Sequence, residues 1–302
     1  MSFSDKYQMI RVIKHGPFAI FEVKDKLNEK NHYALKLLKK DLSSDYQKEI
    51  KVMKKIKSKY IIELIDYFYD KINKGYCIVM ELCDGDLRQI LKKYKPNGLP
   101  LYLIKKIFSQ LNEALKKLRD NGYIHRDLKP ENILIKYMDE KKEDFICKLT
   151  DFGYSTNEIN SSVNKNTNAG TENYKAPEIE SFDYNNKCDL WSLGVILYEL
   201  YTNKYIFDSD NVKEKVINRY EGRITNETDN IMINELIKKL IKVDIQQRIN
   251  WEEYFADDFF SDYIKLKVII KKDEQEIKIF NGNEDINKNK LSILIDKKKN
   301  WI

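Results

Sequence analysis

The densest chemistry in the chain lies in eight consecutive residues, His125-Arg126-Asp127-Leu128-Lys129-Pro130-Glu131-Asn132. A carboxylate, an amine and an amide so close together, pinned by a proline, can converge on one point from a single loop. Asp127 can accept a proton from a hydroxyl, Lys129 can offset charge on a transferring group, and Asn132 can offer an oxygen to a metal. Asp151-Phe152-Gly153 follows a strand-like run, Ile146 to Leu149. Its carboxylate, beside a glycine that lets the backbone turn, suits a hard cation. Ala176-Pro177-Glu178 completes the set. Singly, each has a plainer reading. A lone His125 is more often a core histidine than a catalytic one, and Lys36 or Glu49 alone would be a solvated surface charge.

These loops need a frame. Residues 7–38 read as strands, broken at His15-Gly16-Pro17 and again near 28–31. Residues 43–57 read as a helix, with Ile50, Met53 and Ile56 at helical spacing. Strand character returns over 61–68 and 76–82. The segment Lys95 to Pro100 holds two of the five prolines and reads as a loop before an amphipathic helix carrying Ile104, Ile107, Leu111, Leu115 and Leu118. The chain is again helical from about 188 to 250. Strands first and helices later predict a small β-rich lobe followed by a larger helical one. After residue 262, alternating Ile264, Leu266, Val268 and Ile270, then Ile277 and Ile279, then Leu291, Ile293 and Ile295 predict three short strands with a turn at Asn281-Gly282-Asn283.

Composition narrows the partners. In 302 residues, 42% are hydrophobic and 34% charged, as in an ordinary soluble protein. The apolar run Leu193 to Tyr198 is too short to span a bilayer. Met1 to Lys6 shows no signal-peptide pattern and no glycine for myristoylation, so a cytoplasmic location is expected. The net charge is +6, but only seven of the 54 basic residues are arginines, and lysine alternates with glutamate as on solvated helix faces. Nucleic acid is therefore not an expected partner. Cys77, Cys83, Cys147 and Cys188 lack metal-site spacing and read as free thiols.

In order and spacing, the motifs resemble the eukaryotic protein kinase family, serine/threonine type, over about residues 7–262. That resemblance implies an α+β, two-lobed protein kinase fold, with a small β-rich lobe over 1–83, a helical lobe over 84–262, and a short β-rich C-terminal extension over 263–302 of unknown role. ATP would lie between the lobes, with Mg²⁺ as cofactor. Lys36, in Ala34-Leu35-Lys36, matches the strand lysine that holds the α- and β-phosphates, and Glu49 the helix glutamate that pairs with it. Met80 matches the gatekeeper, and Glu81-Leu82-Cys83 the hinge whose backbone reads adenine. Ile13, Gly16, Phe21, Ala34, Asp86 and Leu134 complete the nucleotide pocket. Asp127 matches the catalytic base, with Lys129 beside it, and Asn132 and Asp151 match the Mg²⁺ ligands.

The resemblance extends to supporting residues. Asp189 matches the buried aspartate that braces the catalytic loop, and Glu178 with Arg248 an ion pair that ties down the activation segment. His125 would stack under Phe152, with Met53 and Leu64 above. Lys129 together with Gly170-Thr171 fits serine/threonine specificity, Thr171 bonding to Asp127 and Lys129 at the acceptor site. Thr167 stands where an activation-loop phosphate is carried, with Arg126 to receive it and Ser161, Ser162 and Thr171 as the competing sites; a phosphate there would imply an upstream activating kinase as a partner. Asp86 and Glu131 resemble carboxylates that bind arginine just before the acceptor, implying substrates basic near that residue; the alternative is that both are solvated.

One stretch departs from the family. Of the three glycines in its phosphate loop only Gly16 is present; Lys14 and Ala19 replace the others, and Phe21 stands where a valine roofs the adenine. A stiffer loop should position the γ-phosphate less well. A nucleotide-binding scaffold without phosphoryl transfer is therefore the chief rival to an active kinase.

Overall fold

Alternating apolar residues build a five-stranded antiparallel sheet at the start of the chain. Its strands are β1 (Tyr7–Lys14), β2 (Ala19–Asp25), β3 (His32–Lys39), β4 (Leu64–Asp70) and β5 (Gly75–Glu81), in the order β1-β2-β3-β5-β4. The computed structural model describes residues 2–16, 18–39, 42–157, 170–181, 184–261, 266–270, 277–281 and 284–285. On one face of the sheet Tyr7, Val23, Leu35, Cys77 and Val79 form a buried cluster. A short helix, α1 (Phe3–Lys6), borders that cluster. Phe3 stacks on Phe21 at 6.3 Å, and its N–H donates to Asp70 Oδ2 at 2.9 Å.

Helix α2 (Ser43–Lys55) buries Tyr46, Glu49, Ile50, Val52 and Met53, the three-to-four spacing of one helical face. Strand β4 begins at Leu64, later than the apolar run that starts at Ile61. Residues 60–62 are instead tied to the segment leading to Asp151: Ile62 N–H donates to Leu149 O at 3.0 Å, and Leu149 N–H to Tyr60 O at 2.8 Å.

After β5 the chain makes β6 (Gly85–Asp86), α3 (Leu87–Lys93), α4 (Leu101–Asp120), β7 (Tyr123–Ile124), β8 (Ile133–Tyr137), β9 (Phe145–Leu149) and β10 (Thr156–Asn157). Two small sheets result, β6-β8-β9 and β7-β10, and they bracket the loop 125–132. Helix α4 buries Ile104, Ile107, Phe108, Leu111, Leu115 and Leu118 along one stripe. Helix α5 (Lys187–Thr202) is apolar nearly all round and buried nearly all round, as a central helix must be. Gly194 lets it approach its neighbour: a Cβ there would lie 2.9 Å from Leu240 Cβ. Helices α6 (Val212–Glu221), α7 (Ile231–Leu240) and α8 (Trp251–Phe255) follow. The sheet at the start and the helices after it match the expected two-lobed architecture.

The chain divides into two compact units, Met1–Asp257 and Asp258–Ile302. The second holds α9 (Asp258–Ser261), β11 (Leu266–Ile270), β12 (Ile277–Asn281) and β13 (Glu284–Asp285), an antiparallel sheet in sequence order. The last pairing joins Asn281 to Glu284, and residues 282–283 of the expected Asn-Gly-Asn turn lie outside the described residues. The strand-like run at 291–295 lies outside the described residues. Among the described residues no helix is long and apolar enough to cross a membrane.

Candidate active site

Strand β3 points Lys36 away from the buried cluster, because its neighbour Leu35 faces that cluster and successive strand side chains alternate. Lys36 Nζ meets Glu49 Oε2 of α2 at 2.7 Å and Asp151 Oδ1 at 2.8 Å. Burial disfavours the ammonium, but Glu49 and Asp151 outweigh it and hold Lys36 above the usual lysine range. Burial is the largest influence on both carboxyls and pushes each up. For Asp151 the Lys36 charge wins and the group is held low; Glu49, with Oε1 buried and unpartnered, stays high. Asp151 sits in the left-handed region, φ +67°, an uncommon conformation for a residue with a Cβ.

The loop 125–132 gathers a second cluster. Asp127 Oδ1 accepts the Thr171 hydroxyl at 2.7 Å, and Oδ2 accepts Lys129 Nζ at 2.6 Å and Asn132 Nδ2 at 2.9 Å. Lys129 also donates to Thr171 Oγ at 2.6 Å, closing a ring of three. Gly170 makes this possible. Its φ is +102°, and a Cβ there would fall 2.6 Å from Arg126 O. Beneath the loop, Asp189 of α5 accepts the N–H of His125 and the N–H of Arg126, each at 2.8 Å. Burial raises its carboxyl. Nε2–H of His125 donates to Thr150 O at 3.0 Å, and its ring meets Phe152 edge-on at 5.4 Å.

Sequence comparison agrees with this geometry. The family model described as protein kinase domain matches residues 7–260. The chain belongs to the protein kinase family. It is similar to serine/threonine-protein kinase Nek5 of Mus musculus, 32% identical over 250 residues, which cover 81% of this chain and 39% of that protein. It is also similar to serine/threonine-protein kinase nekl-2 of Caenorhabditis elegans, 30% identical over 278 residues, covering 86% of this chain and 76% of that protein. Serine/threonine-protein kinase ATG1 of Kluyveromyces marxianus is 30% identical over 305 residues, 84% of this chain and 36% of its own length. The kinase is thus of the serine/threonine type, and it spans well under half of two of these three relatives.

The remaining predicted positions of the kinase fall as follows. Ala34, Met80 and Glu81 are buried, while Cys83 and Leu134 are half-buried; Leu134 pairs with Asp86 between β8 and β6. Burial pushes the Cys83 thiol up to about 12. The Glu81 side chain is engaged by Lys148 at 2.6 Å and Lys136 at 2.9 Å, and its N–H donates to Glu63 O at 3.1 Å. Ile13 is exposed at the end of β1. Gly16 lies in the connection between β1 and β2. Phe21 departs from expectation: it lies opposite Leu35 across β2 and β3, and so on the sheet face away from Lys36, stacked on Phe3. Ile20 is the residue opposite Lys36, a placement that counting alternate residues back from Lys36 across the hairpin would have shown.

Phe18 was also missed by the sequence reading. Its ring lies 4.4 Å from Lys36 Nζ and 5.3 Å from Lys14 Nζ. Thr167 lies outside the described residues. Arg126, its expected partner, is buried and donates to Tyr154 O at 2.6 Å and to the Tyr184 hydroxyl at 2.5 Å. The two carboxylates expected to bind a substrate arginine have partners within the chain. Asp86 caps α3 through the N–H of Gln89, and Glu131 pairs with Arg88.

Proposed function

We propose that this kinase transfers the γ-phosphoryl group of ATP to serine and threonine hydroxyls of protein substrates, with Mg²⁺ as its cofactor. The reading is carried by the Asp127 carboxylate held between Thr171, Lys129 and Asn132. A substrate hydroxyl near Thr171 would meet a carboxylate whose orientation is fixed before the substrate arrives. Asp127 orients that hydroxyl and takes its proton, while Lys129 offsets charge as the phosphoryl group moves.

The residues also fit a divalent cation. Asp151 Oδ2 accepts no hydrogen bond from the described residues, and Asn132 commits its amide nitrogen to Asp127, at the main-chain O (2.8 Å) and at Oδ2, which frees its own carbonyl. One carboxylate and one amide oxygen, completed by phosphate oxygens and water, suit Mg²⁺, which supplies charge neutralisation there. Lys36, positioned by Glu49, would hold the α- and β-phosphates. Ala34, Met80, Leu134 and the hinge backbone would enclose the adenine. Four unpaired thiols support a reducing compartment such as the cytoplasm.

The contact of Phe18 with Lys36 gives the scaffold reading its one structural argument, since that ring stands beside the lysine meant for phosphate. Mg·ATP-dependent transfer to a generic protein acceptor, beside an Asp127→Asn control, separates the two. Transfer that depends on Asp127 is expected. A folded protein that binds nucleotide and transfers nothing would refute the enzyme and leave the scaffold.

A further inference from the structure

Helix α3 carries one arginine, and four of its five guanidinium N–H donors are engaged by remote parts of the chain. Arg88 Nε donates to Glu131 Oε1 at 2.8 Å, Nη1 to Glu199 Oε1 at 2.6 Å, and Nη2 to Glu199 Oε2 at 3.2 Å. Nη2 also reaches the Tyr174 hydroxyl, which itself donates to Glu199 Oε2 at 2.6 Å. Two of these partners border the acceptor cluster: Glu131 lies in the loop of Asp127, and Tyr174 follows Thr171 in sequence. Glu131 keeps its other oxygen buried and unpartnered.

Two carboxylates this close, with side chains only 35% and 15% exposed, need a cation between them. A planar fork of N–H donors spans both; a lysine ammonium is a single point and does not. The cation can come from the chain or from the substrate. Here it comes from the chain.

We propose that Arg88 is a specificity-determining residue: its guanidinium fills, as a tethered surrogate, the cradle that would otherwise take a basic side chain of the substrate. The kinase therefore does not select arginine or lysine beside its acceptor serine or threonine. Removing the guanidinium should open the cradle to one supplied from outside. The inference rests on the phosphoryl-transfer reading, and it differs from a purely structural role. A brace that is lost lowers stability, whereas an occupied cradle that is emptied acquires a new preference.

The test scans arginine through each position flanking the acceptor in a peptide series, with norleucine as the neutral comparison. The wild type should not distinguish them. Arg88→Ala should favour arginine at one position by about tenfold or more, the value of charge-assisted hydrogen bonds. Adding Glu131→Gln should reduce that gain. Arg88→Gln, which keeps hydrogen bonds to the carboxylates without the charge, carries the same test if the alanine variant does not fold. Calorimetry with the same peptides, their acceptor replaced by alanine, reads binding without catalysis. A wild type that already selects arginine, or folded Arg88 variants that gain no selection by either readout, would overturn the inference. Absence of transfer from every protein would instead count against the kinase activity, and the calorimetric comparison would still decide the role of Arg88.

Discussion

Arg248 is the position where substitution should cost most for the least change in shape. It is 1% exposed, and all five of its N–H donors are used. Nη1 and Nη2 grip Glu178 at 2.5 and 3.0 Å, and the other bonds go to the carbonyls of Lys187 and Lys242. Arg248→Met keeps the side-chain volume roughly, but leaves the Glu178 carboxylate buried without a counterion. Breaking a buried pair from one side costs about 3–5 kcal/mol. At about 2–4 °C per kcal/mol for a unit of this size, the melting temperature should fall by about 6–20 °C. The double variant Glu178→Met/Arg248→Met removes both charges together and should be more stable than Arg248→Met alone, though below wild type because three carbonyl bonds stay lost. Thermal and urea unfolding of all four proteins read this as a double-mutant cycle. An Arg248→Met protein melting within about 2 °C of wild type would refute the reasoning. So would a double variant that loses the full sum of the two single effects.

Three further outcomes are expected. Lys36→Met should lower phosphoryl transfer by about a hundredfold or more while circular dichroism stays native, because the charge meant for the phosphates is gone; transfer at the wild-type rate would contradict it. Thr171→Val keeps the shape but removes the hydroxyl shared by Asp127 and Lys129, and kcat for peptide phosphorylation should fall by about tenfold, more than KM rises; a change confined to KM would place Thr171 in binding alone. The third concerns acid. At Glu81 burial is outweighed by Lys148 and Lys136, at Asp70 by the N–H groups of Phe3 and Asn73, and at Glu180 by Arg219 and Lys175, so all three carboxyls sit below their ordinary values of 4.5, 3.8 and 4.5. Groups depressed on folding stabilise above those ordinary values and lose that contribution as pH falls through the lowered ones. Below about pH 5 the urea midpoint should drop as these three are protonated, with a shallower acid limb in Glu81→Gln; acid limbs of equal slope in the two proteins would show that Glu81 carries none of this linkage.

How much of this was legible in the sequence depended on the range of the interaction. Motifs whose members lie within a loop, such as Asp127, Lys129 and Asn132, were readable because spacing alone limits where they can go. Helix α2 was readable from periodicity, since one face of it is buried, and strands β1 to β3 from apolar and β-branched residues broken by turn signals. Phe21 was misplaced because alignment to a family pattern ignores which face a residue takes, and the register of β2 against β3 decides that. The start of β4 was placed too early because an apolar run does not reveal whether its partner is the neighbouring strand or, as for Ile61 and Ile62, a segment from the other part of the fold. Arg88 was invisible for a different reason. Its partners Glu131, Tyr174 and Glu199 have no local pattern, and one arginine on a lysine-rich helix reads as solvated.

The hydrogen bonds from His125 and Arg126 to Asp189 separate the part of the chain that holds the chemistry from the part that makes it work. Every residue assigned here to nucleotide, metal or acceptor lies at or before Thr171, so a fragment ending near residue 186 would carry the whole reactive inventory. It would lack the carboxylate that fixes the backbone of the loop, and with it the left-handed turn at Arg126, φ +68°. Such a fragment would hold the ingredients without the arrangement. For dissection into pieces, or for reassembly from two chains, the smallest useful boundary is therefore set by helix α5, whose own side chains touch no substrate in the proposed reaction.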